Sequence, residues 1–119
     1  MGVIATCHCG ACEIGLTSAP DVATDCNCSI CRRYGALWAY FDPAEVDMTG
    51  MGPTDIYMQG DRALEFHRCA ACGVLTHWAP GDRTRPRMGV NARLLPLEML
   101  KALRVRRLDG ADTWTYLDE

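Results

Sequence analysis

The sequence predicts a mainly β protein in which hairpin loops carry cysteine clusters, with one short helix near the C-terminus. Two observations support this class. Short runs that alternate polar and apolar residues recur through the first ninety or so residues of the 119-residue chain, and this alternation is typical of half-buried strands. The eight cysteines fall into three clusters, each flanked by such runs.

The first two cysteine clusters lie between predicted strands. Residues 3–5 and 13–17 flank the loop CHCGAC and are predicted to form a hairpin with this loop at its tip. The loop CNCSICRRYG follows a predicted strand at residues 22–25 and precedes residues 36–41, whose aromatic bulk suits a pleated surface. Both clusters are therefore expected at the ends of strands.

Two more hairpins are predicted in the middle of the chain. Residues 46–49 and 56–58 flank the run GMGP, which is dense in turn residues. The third cysteine loop, CAACG, lies between the alternating runs 63–68 and 74–78. Gly73 directly follows this loop's second cysteine and permits the positive φ that such a turn needs.

The C-terminal part is predicted to contain the helix and a last strand. Residues 96–103 carry a proline in their first turn and apolar residues at helical spacing. These apolar residues are interpreted as core packing: Leu97, Met99, Leu100 and Leu103. Residues 113–117 are predicted to close the sheet.

Composition restricts the classes of function. A chain of this length fits one domain, residues 1–119, that can bury a core without disulfides. The formal net charge of -3 argues against a nucleic-acid binder held by phosphate contacts. The N-terminus has no basic start and no long apolar run, and no segment is long enough to span a bilayer. We expect a soluble, cytoplasmic protein that does not bind membranes.

The cysteine spacing favours metal over disulfides. Disulfide scaffolds need an oxidising compartment, which nothing in the N-terminus indicates. A Cys-x-Cys pair does not readily close a disulfide, yet it presents two sulfurs to one ion. The clusters consist of Cys7, Cys9 and Cys12, then Cys26, Cys28 and Cys31, and finally Cys69 and Cys72.

Chain reach sorts most of these sulfurs into two groups. Three sulfurs lie within the six residues 26–31 and can surround one ion without help from another segment. The pairs at 7 and 9 and at 69 and 72 are then left to share a second ion at two hairpin tips. Zinc with four protein ligands is typically structural, whereas zinc with three keeps a position open for water or substrate. Spacing alone does not assign Cys12, which either completes a second closed site or is a small buried hydrophobe.

The three motifs CHCGAC, CNCSICRRYG and FHRCAACG together resemble the glutathione-dependent formaldehyde-activating enzyme family. The tail, GVNARLLPLEML followed by VRRLDGADTW, is similar to short bacterial members. The resemblance implies a β-tent of antiparallel sheets and two zinc ions. It implies a structural zinc on four residues, called here the clasp cysteines: Cys7, Cys9, Cys69 and Cys72. It implies a second zinc, near the surface, on the cysteine triad: Cys26, Cys28 and Cys31.

The family position that matches Cys12 is usually not a cysteine, so Cys12 is interpreted as a residue that binds no metal.

An open zinc on the triad suits a thiol substrate, because the ion stabilises a thiolate at neutral pH. The resemblance implies a carbon-sulfur lyase that adds glutathione, or a related thiol, to formaldehyde and releases it again from S-hydroxymethylglutathione. The triad cysteines are then the catalytic residues. The alternative is a non-catalytic, zinc-stabilised binding module, which a fourth ligand on the triad would favour.

A few other side chains are candidates for the site. The three histidines, His8, His67 and His77, are interpreted as ordinary hydrogen-bonded or solvent-facing residues, with general-base roles as the alternative for the last two. Three aromatic residues either pack in the core or form the wall of a pocket: Trp38, Tyr40 and Trp78. Arg32 and Arg33 follow the triad and are candidates for contacting an anionic substrate, and Ser29 for supporting a thiolate.

Overall fold

The structure, a computed structural model, describes residues 2–82 and 86–117. Within these ranges ten strands form two sheets, and two short α-helices lie between strands of the larger one. The mainly β class predicted from the sequence is confirmed. The strands are β1 (Val3–Thr6), β2 (Glu13–Leu16), β3 (Val22–Cys26), β4 (Trp38–Phe41), β5 (Val46–Asp47), β6 (Thr54–Tyr57), β7 (Leu64–Cys69), β8 (Leu75–Pro80), β9 (Met88–Asn91) and β10 (Arg104–Leu108). The helices are α1 (Cys31–Tyr34) and α2 (Leu97–Ala102).

The smaller sheet has the order β1-β2-β5 and contains the first predicted hairpin. Strands β1 and β2 are antiparallel, with Thr6 opposite Glu13, so the loop CHCGAC lies at the hairpin tip as predicted. The loop closes with a hydrogen bond from the Cys7 N–H to the Cys12 carbonyl at 3.0 Å.

The larger sheet has the order β10-β3-β4-β9-β8-β7-β6. The predicted hairpin of β7 and β8 is confirmed, with the third cysteine loop at its tip and a register shift between His67 and Arg68. Gly73 in this loop has φ 78°, the left-handed conformation expected for it. Strand β7, which lies next to the edge strand β6, therefore ends at the third cysteine cluster.

The predicted hairpin of residues 46–49 and 56–58 is wrong. Strand β5 pairs with β2 in the small sheet, whereas β6 pairs with β7 at the edge of the large one. The glycines between them permit close backbone approach instead of a hairpin turn. The Gly52 N–H donates to the Ala11 carbonyl at 2.9 Å, and a Cβ on Gly52 would overlap that carbonyl. The segment therefore packs against the first cysteine loop and separates the two strands.

The expected last strand at 113–117 is also wrong. That segment makes a single isolated bridge, between Tyr116 and Leu108. The edge of the large sheet is formed instead by β10, which runs parallel to β3, so the sheet is mixed where the family resemblance implied antiparallel sheets. Parallel strands need a crossover connection that returns the chain to the same end of the sheet, and here that connection contains α2.

The predicted helix is present as α2, one residue shorter at each end. Its apolar stripe is core packing at three of the four positions, since Met99, Leu100 and Leu103 pack against the main core, whereas Leu97 is 62% exposed. Helix α1, a single turn that begins at Cys31 and ends at Gly35 with φ 66°, was not predicted.

Three buried clusters hold the fold together. The largest combines side chains of both sheets, among them Ile14 and Leu16 of β2 and Val90 of β9. A second cluster joins the cysteine triad to Trp38 and Phe66. The third contains Cys7, Cys12 and Cys69. Both groups of cysteines therefore reach into packed regions of the molecule, although Cys9 of the clasp is exposed.

Candidate metal centres and the adjoining pocket

The clasp cysteines lie together between the tips of two hairpins. Their four sulfur atoms are all within 4.8 Å of one another, and Cys9 Sγ lies 3.7 Å from the sulfurs of both Cys7 and Cys69. Backbone N–H groups point at two of them. The Cys12 N–H donates to Cys7 Sγ at 3.3 Å, and the Cys72 N–H donates to Cys69 Sγ at 3.5 Å. Such donors favour thiolates over thiols.

The clasp sulfurs do not all ionise easily by themselves. Backbone hydrogen bonds from Val74 and Cys9 lower the pKa of Cys72 to about 6. The N–H of Ala11 favours the Cys9 thiolate in the same way, but burial and the neighbouring sulfurs outweigh it and raise the pKa of Cys9 to about 11. Several thiolates this close repel one another, so a cation among them is needed to hold all four in the charged form.

The cysteine triad is assembled where β3 passes into α1. Cys26 is the last residue of β3, and Cys31 is the first residue of α1. The three sulfurs are within 4.8 Å of one another. The Cys31 N–H donates to Cys28 Sγ at 3.4 Å, and the indole N–H of Trp38 donates to Cys31 Sγ at 3.3 Å. Cys26 and Cys31 are buried, and Cys28 is half-buried.

Two of the triad thiols, those of Cys26 and Cys31, differ in how easily they lose a proton. A hydrogen bond from the Cys31 thiol, helped by backbone N–H groups, lowers the pKa of Cys26 to about 6. The same hydrogen bond, together with burial, raises the pKa of Cys31 far above its usual range. Without a cation the thiol of Cys26 is thus more easily ionised than that of Cys31.

Both sulfur groups fit a soft metal ion. All donors are thiols, which select zinc, copper(I) or iron-sulfur centres over magnesium or calcium. All eight cysteines lie in the described ranges and are free, so none of these sulfurs is in a disulfide. Four sulfurs match a closed site and three match a site with an open position.

Neither Cys12 nor any histidine joins a sulfur group in the described part of the chain. Cys12 Sγ approaches the Gly52 carbonyl at 3.8 Å and packs beside Cys69, not beside the triad. His8 is exposed. His67 and His77 are cross-strand neighbours with rings stacked at 4.3 Å, and Thr54 and Thr76 hydrogen-bond to their Nδ1 atoms. Their interpretation as ordinary hydrogen-bonded residues agrees with these contacts.

A cavity of about 480 Å³ adjoins the triad. All three triad cysteines line it, and so do the three aromatic residues weighed above as core or pocket: Trp38, Tyr40 and Trp78. Trp38 is both a core residue and part of the cavity wall, because it is 2% exposed and also borders the cavity. The guanidinium of Arg87 lies 3.9 Å from the centre of the Tyr40 ring at the cavity wall.

A second groove also borders Cys28 and is called here the polar groove, after the polar side chains in its lining. Its lining includes Asn27, Ser29 and Arg32. Arg33 turns back toward its own loop instead, where its Nη1 donates to the Ser29 carbonyl at 2.7 Å. Of the two arginines that follow the triad, Arg32 is therefore the one that borders this groove with Cys28.

Comparison with known proteins identifies the family. The family model described as glutathione-dependent formaldehyde-activating enzyme matches residues 3–102. The chain belongs to this family. It is also similar to the crystal structure of a Rhodobacter sphaeroides protein, a structural genomics target, with a TM-score of 0.66 and 32% sequence identity over 86% of this chain and 98% of that one. No curated protein sequence matches the chain.

The match to the formaldehyde-activating family ends before β10, and the residues that follow were missed as part of the site. Strand β10 places Leu108 beside Cys26. A hydrogen bond from the Gly110 backbone supports the Cys26 thiolate, and a Cβ on Gly110 would overlap Cys26 Sγ. The local sequence signal in this segment is the run of turn residues DGAD, and a turn pattern does not predict contact with a distant cysteine.

Replacing Gly110 with alanine is expected to weaken metal binding at the triad selectively. The new methyl group must displace either the Cys26 sulfur or the backbone beside it, an overpacking that typically costs about 1–3 kcal/mol. Competition with a chelator, followed on the purified protein, should show about a tenfold or greater loss of affinity at one site only. Asp112→Ala, in the same exposed loop, is the control and should bind both ions normally.

No membrane-spanning helix is found in the described parts of this family member. None of its helices combines the required length with the required apolar character.

Tyr40 is expected to stay a neutral phenol until strongly alkaline pH. Burial raises its pKa from 10.0 to about 12. The unfolded chain therefore loses this proton first, so the stability that Tyr40 contributes is fully present below pH 10 and is lost as the pH rises through about 12. The loss corresponds to about 3 kcal/mol. Urea unfolding of wild type and Tyr40→Phe should show their stabilities diverging only above pH 10, with the wild type falling faster.

Proposed function

We propose that the protein is a zinc-dependent carbon-sulfur lyase that forms and cleaves the adduct of a thiol such as glutathione with an aldehyde such as formaldehyde. For these two compounds the adduct is S-hydroxymethylglutathione. The observation that carries the proposal is a group of three sulfurs, one of them half-buried, that borders a cavity partly open to solvent. Membership of a family named for glutathione and formaldehyde supports the same reaction.

Cys26, Cys28 and Cys31 would hold the zinc through their sulfur atoms. A bound zinc ion supplies a Lewis acid that keeps a substrate thiol in its thiolate form at neutral pH. The indole N–H of Trp38 and the backbone N–H of Cys31 hold two of these sulfurs in place by hydrogen bonds of 3.3 and 3.4 Å. Such outer contacts orient ligand atoms and tune their basicity.

The cavity beside the triad suits the addition step. The substrate's thiolate sulfur bonds to the carbonyl carbon, and the carbonyl oxygen takes the negative charge and then a proton from water. Tyr40 lines the cavity and is a neutral phenol at physiological pH. Its hydroxyl is the donor we assign to the developing oxyanion, because a preorganised donor in a partly dry site stabilises such charge. Cleavage is the reverse.

The polar groove suits the polar part of the thiol. Arg32 is exposed there beside Cys28, Ser29 and Asn27. A thiol whose sulfur reaches the triad from this groove brings its carboxylate close to the Arg32 guanidinium, which binds carboxylates through paired hydrogen bonds. We assign Arg32 to substrate binding on this ground.

The absence of a fourth protein donor favours the lyase over a non-catalytic binding module. Cys12 and the three histidines all lie in the described parts of the chain, and none of them belongs to the triad group. A zinc ion with three protein ligands keeps a position for substrate, whereas a purely structural zinc typically has four.

The test is exchange NMR on protein that contains two zinc ions per chain. Formaldehyde, glutathione and their adduct interconvert slowly enough to follow by magnetisation transfer, and the protein should speed this exchange in proportion to its concentration. Protein that holds two zinc ions and leaves the exchange rate unchanged would overturn the proposal. Acceleration that survives removal of the triad sulfurs would place the chemistry elsewhere and overturn it as well.

A further inference from the structure

The cavity beside the triad is walled largely by aromatic side chains. Two come from strands of the large sheet, Trp38 of β4 and Phe66 of β7, and each is 2% exposed. Tyr40 and Trp78 form a second side, with ring centres 6.2 Å apart. Trp114 and Tyr116 complete the lining from the C-terminal segment. Arg87 is the charged side chain on this lining among the described residues, and its guanidinium lies over the Tyr40 ring.

The C-terminal segment is fastened to the triad loop by specific hydrogen bonds. The Asn27 side chain donates to Asp109 Oδ1 at 3.0 Å and accepts from the Ala111 N–H at 2.9 Å. The Trp114 N–H donates to the Asp109 carbonyl at 2.8 Å. Trp114 itself is held at φ 58°, a left-handed conformation that is unfavourable for a bulky residue. Its ring is thus placed beside Cys28 at a cost in local strain.

Trp114 stands between two spaces that meet at the triad. It lines the aromatic cavity and also the polar groove that contains Arg32, and Cys28 borders both. A substrate whose sulfur lies at Cys28 can therefore place its polar part in the groove and its other part in the cavity. A thiol adduct can have two ends of the same contrast, because its thiol part is polar and its aldehyde-derived part can be apolar.

The cavity is much larger than a one-carbon group needs. A hydroxymethyl group is comparable in size to a water molecule, about 30 Å³, and the cavity measures about 480 Å³. Aromatic walls bind flat apolar groups by burial and by ring-ring contacts. The family model matches residues 3–102, and Trp114 and Tyr116 follow in the tail, whose stretch VRRLDGADTW resembles short members of the family.

We propose that the C-terminal segment 104–117 makes this protein selective for adducts of aromatic aldehydes, with the aldehyde-derived ring in the cavity and the thiol's polar part in the groove. The inference rests on the proposed function. The reaction balances as an addition: the thiol sulfur bonds to the aldehyde carbon, the carbon-oxygen π bond opens, and the proton lost by the thiol is replaced by one on the new hydroxyl. No oxidant or reductant is needed.

The test is a pair of binding measurements with adduct analogues that cannot be cleaved. S-benzylglutathione and S-methylglutathione share the polar part and differ only in the group assigned to the cavity. Calorimetric titration of the two-zinc protein should show the benzyl analogue binding about tenfold or more tightly. Trp114→Asn should bring the ratio of the two affinities close to one, since asparagine tolerates the left-handed backbone and removes the ring.

Leu117→Ala is the matched control, because Leu117 is an exposed apolar residue of the same segment outside the lining. This variant should keep the full benzyl preference. Equal affinities for both analogues in protein that still speeds the formaldehyde exchange would overturn the aromatic selectivity and leave the lyase standing. A benzyl preference that Trp114→Asn does not reduce would overturn the role of the segment. A benzyl preference in protein that exchanges neither formaldehyde nor benzaldehyde would support the cavity assignment and refute the lyase.

Discussion

The Cys69→Ala variant is expected to lose its clasp metal and to unfold. Cys69 is 1% exposed at the end of β7, and its sulfur lies 3.7 Å from that of Cys9 on the other hairpin. Structural zinc sites of this kind contribute about 10–16 kcal/mol at neutral pH, which is as large as the whole net stability of a typical domain, about 5–15 kcal/mol. Far-UV circular dichroism and metal analysis of the purified variant measure both effects.

The Cys12→Ala variant is the matched control for this experiment. Cys12 is buried to the same extent and packs in the same cluster, but it is not a member of the clasp group. The same atom is removed from the same region, so the variant should keep both metal ions and lose only about 1–2 kcal/mol of stability. Loss of the clasp metal in Cys12→Ala as well would show that Cys12 is a ligand and that its interpretation as a bystander is wrong.

The Cys28→Ala variant is expected to lose activity and one metal ion while it remains folded. Cys28 is the half-buried member of the triad, and its removal leaves the four clasp sulfurs untouched. Mutation of groups that merely support metal ligands typically costs about 10–100-fold, so loss of a ligand should lower the exchange rate by at least about a hundredfold. Metal analysis, thermal unfolding and exchange NMR on one preparation report the three quantities together.

Cys12→Ala also serves as the cysteine control for this variant and should retain both metals and the exchange activity. Two outcomes would contradict the division of roles between the two groups. A Cys28→Ala protein that unfolds would make the triad metal structural. A folded variant that keeps two bound ions would mean that another side chain replaces Cys28, and the open position would then lose its basis.

The hairpins with cysteine loops were predictable because their signals are local. Alternation on both sides of CHCGAC and of CAACG predicts strands whose ends meet, and the positive φ of Gly73 follows from its place after a cysteine turn. The structure also brings together the sulfurs that chain reach had grouped, four in one place and three in another. Their roles as ligands stay a prediction until metal content is measured.

The errors concern pairings between distant segments. The run GMGP reads as a turn, yet Gly52 is required by the close approach of Ala11, forty-one residues earlier in the chain. Strand β10 lies parallel to β3, and no alternation within either strand specifies a partner reached through a crossover. Local sequence patterns therefore predicted where strands form more reliably than which strands pair with each other.

By itself the sequence determined the mainly β class, the three cysteine clusters and the family resemblance that the comparison confirmed. The tertiary structure alone decided what surrounds the triad. Trp38 of β4, Trp78 of β8 and Trp114, which follows β10, come from separate segments and meet at one cavity because these three strands share a sheet. Cysteine spacing is a local constraint that a few backbone turns satisfy. The shape of a pocket depends on long-range packing, which no short stretch of sequence encodes.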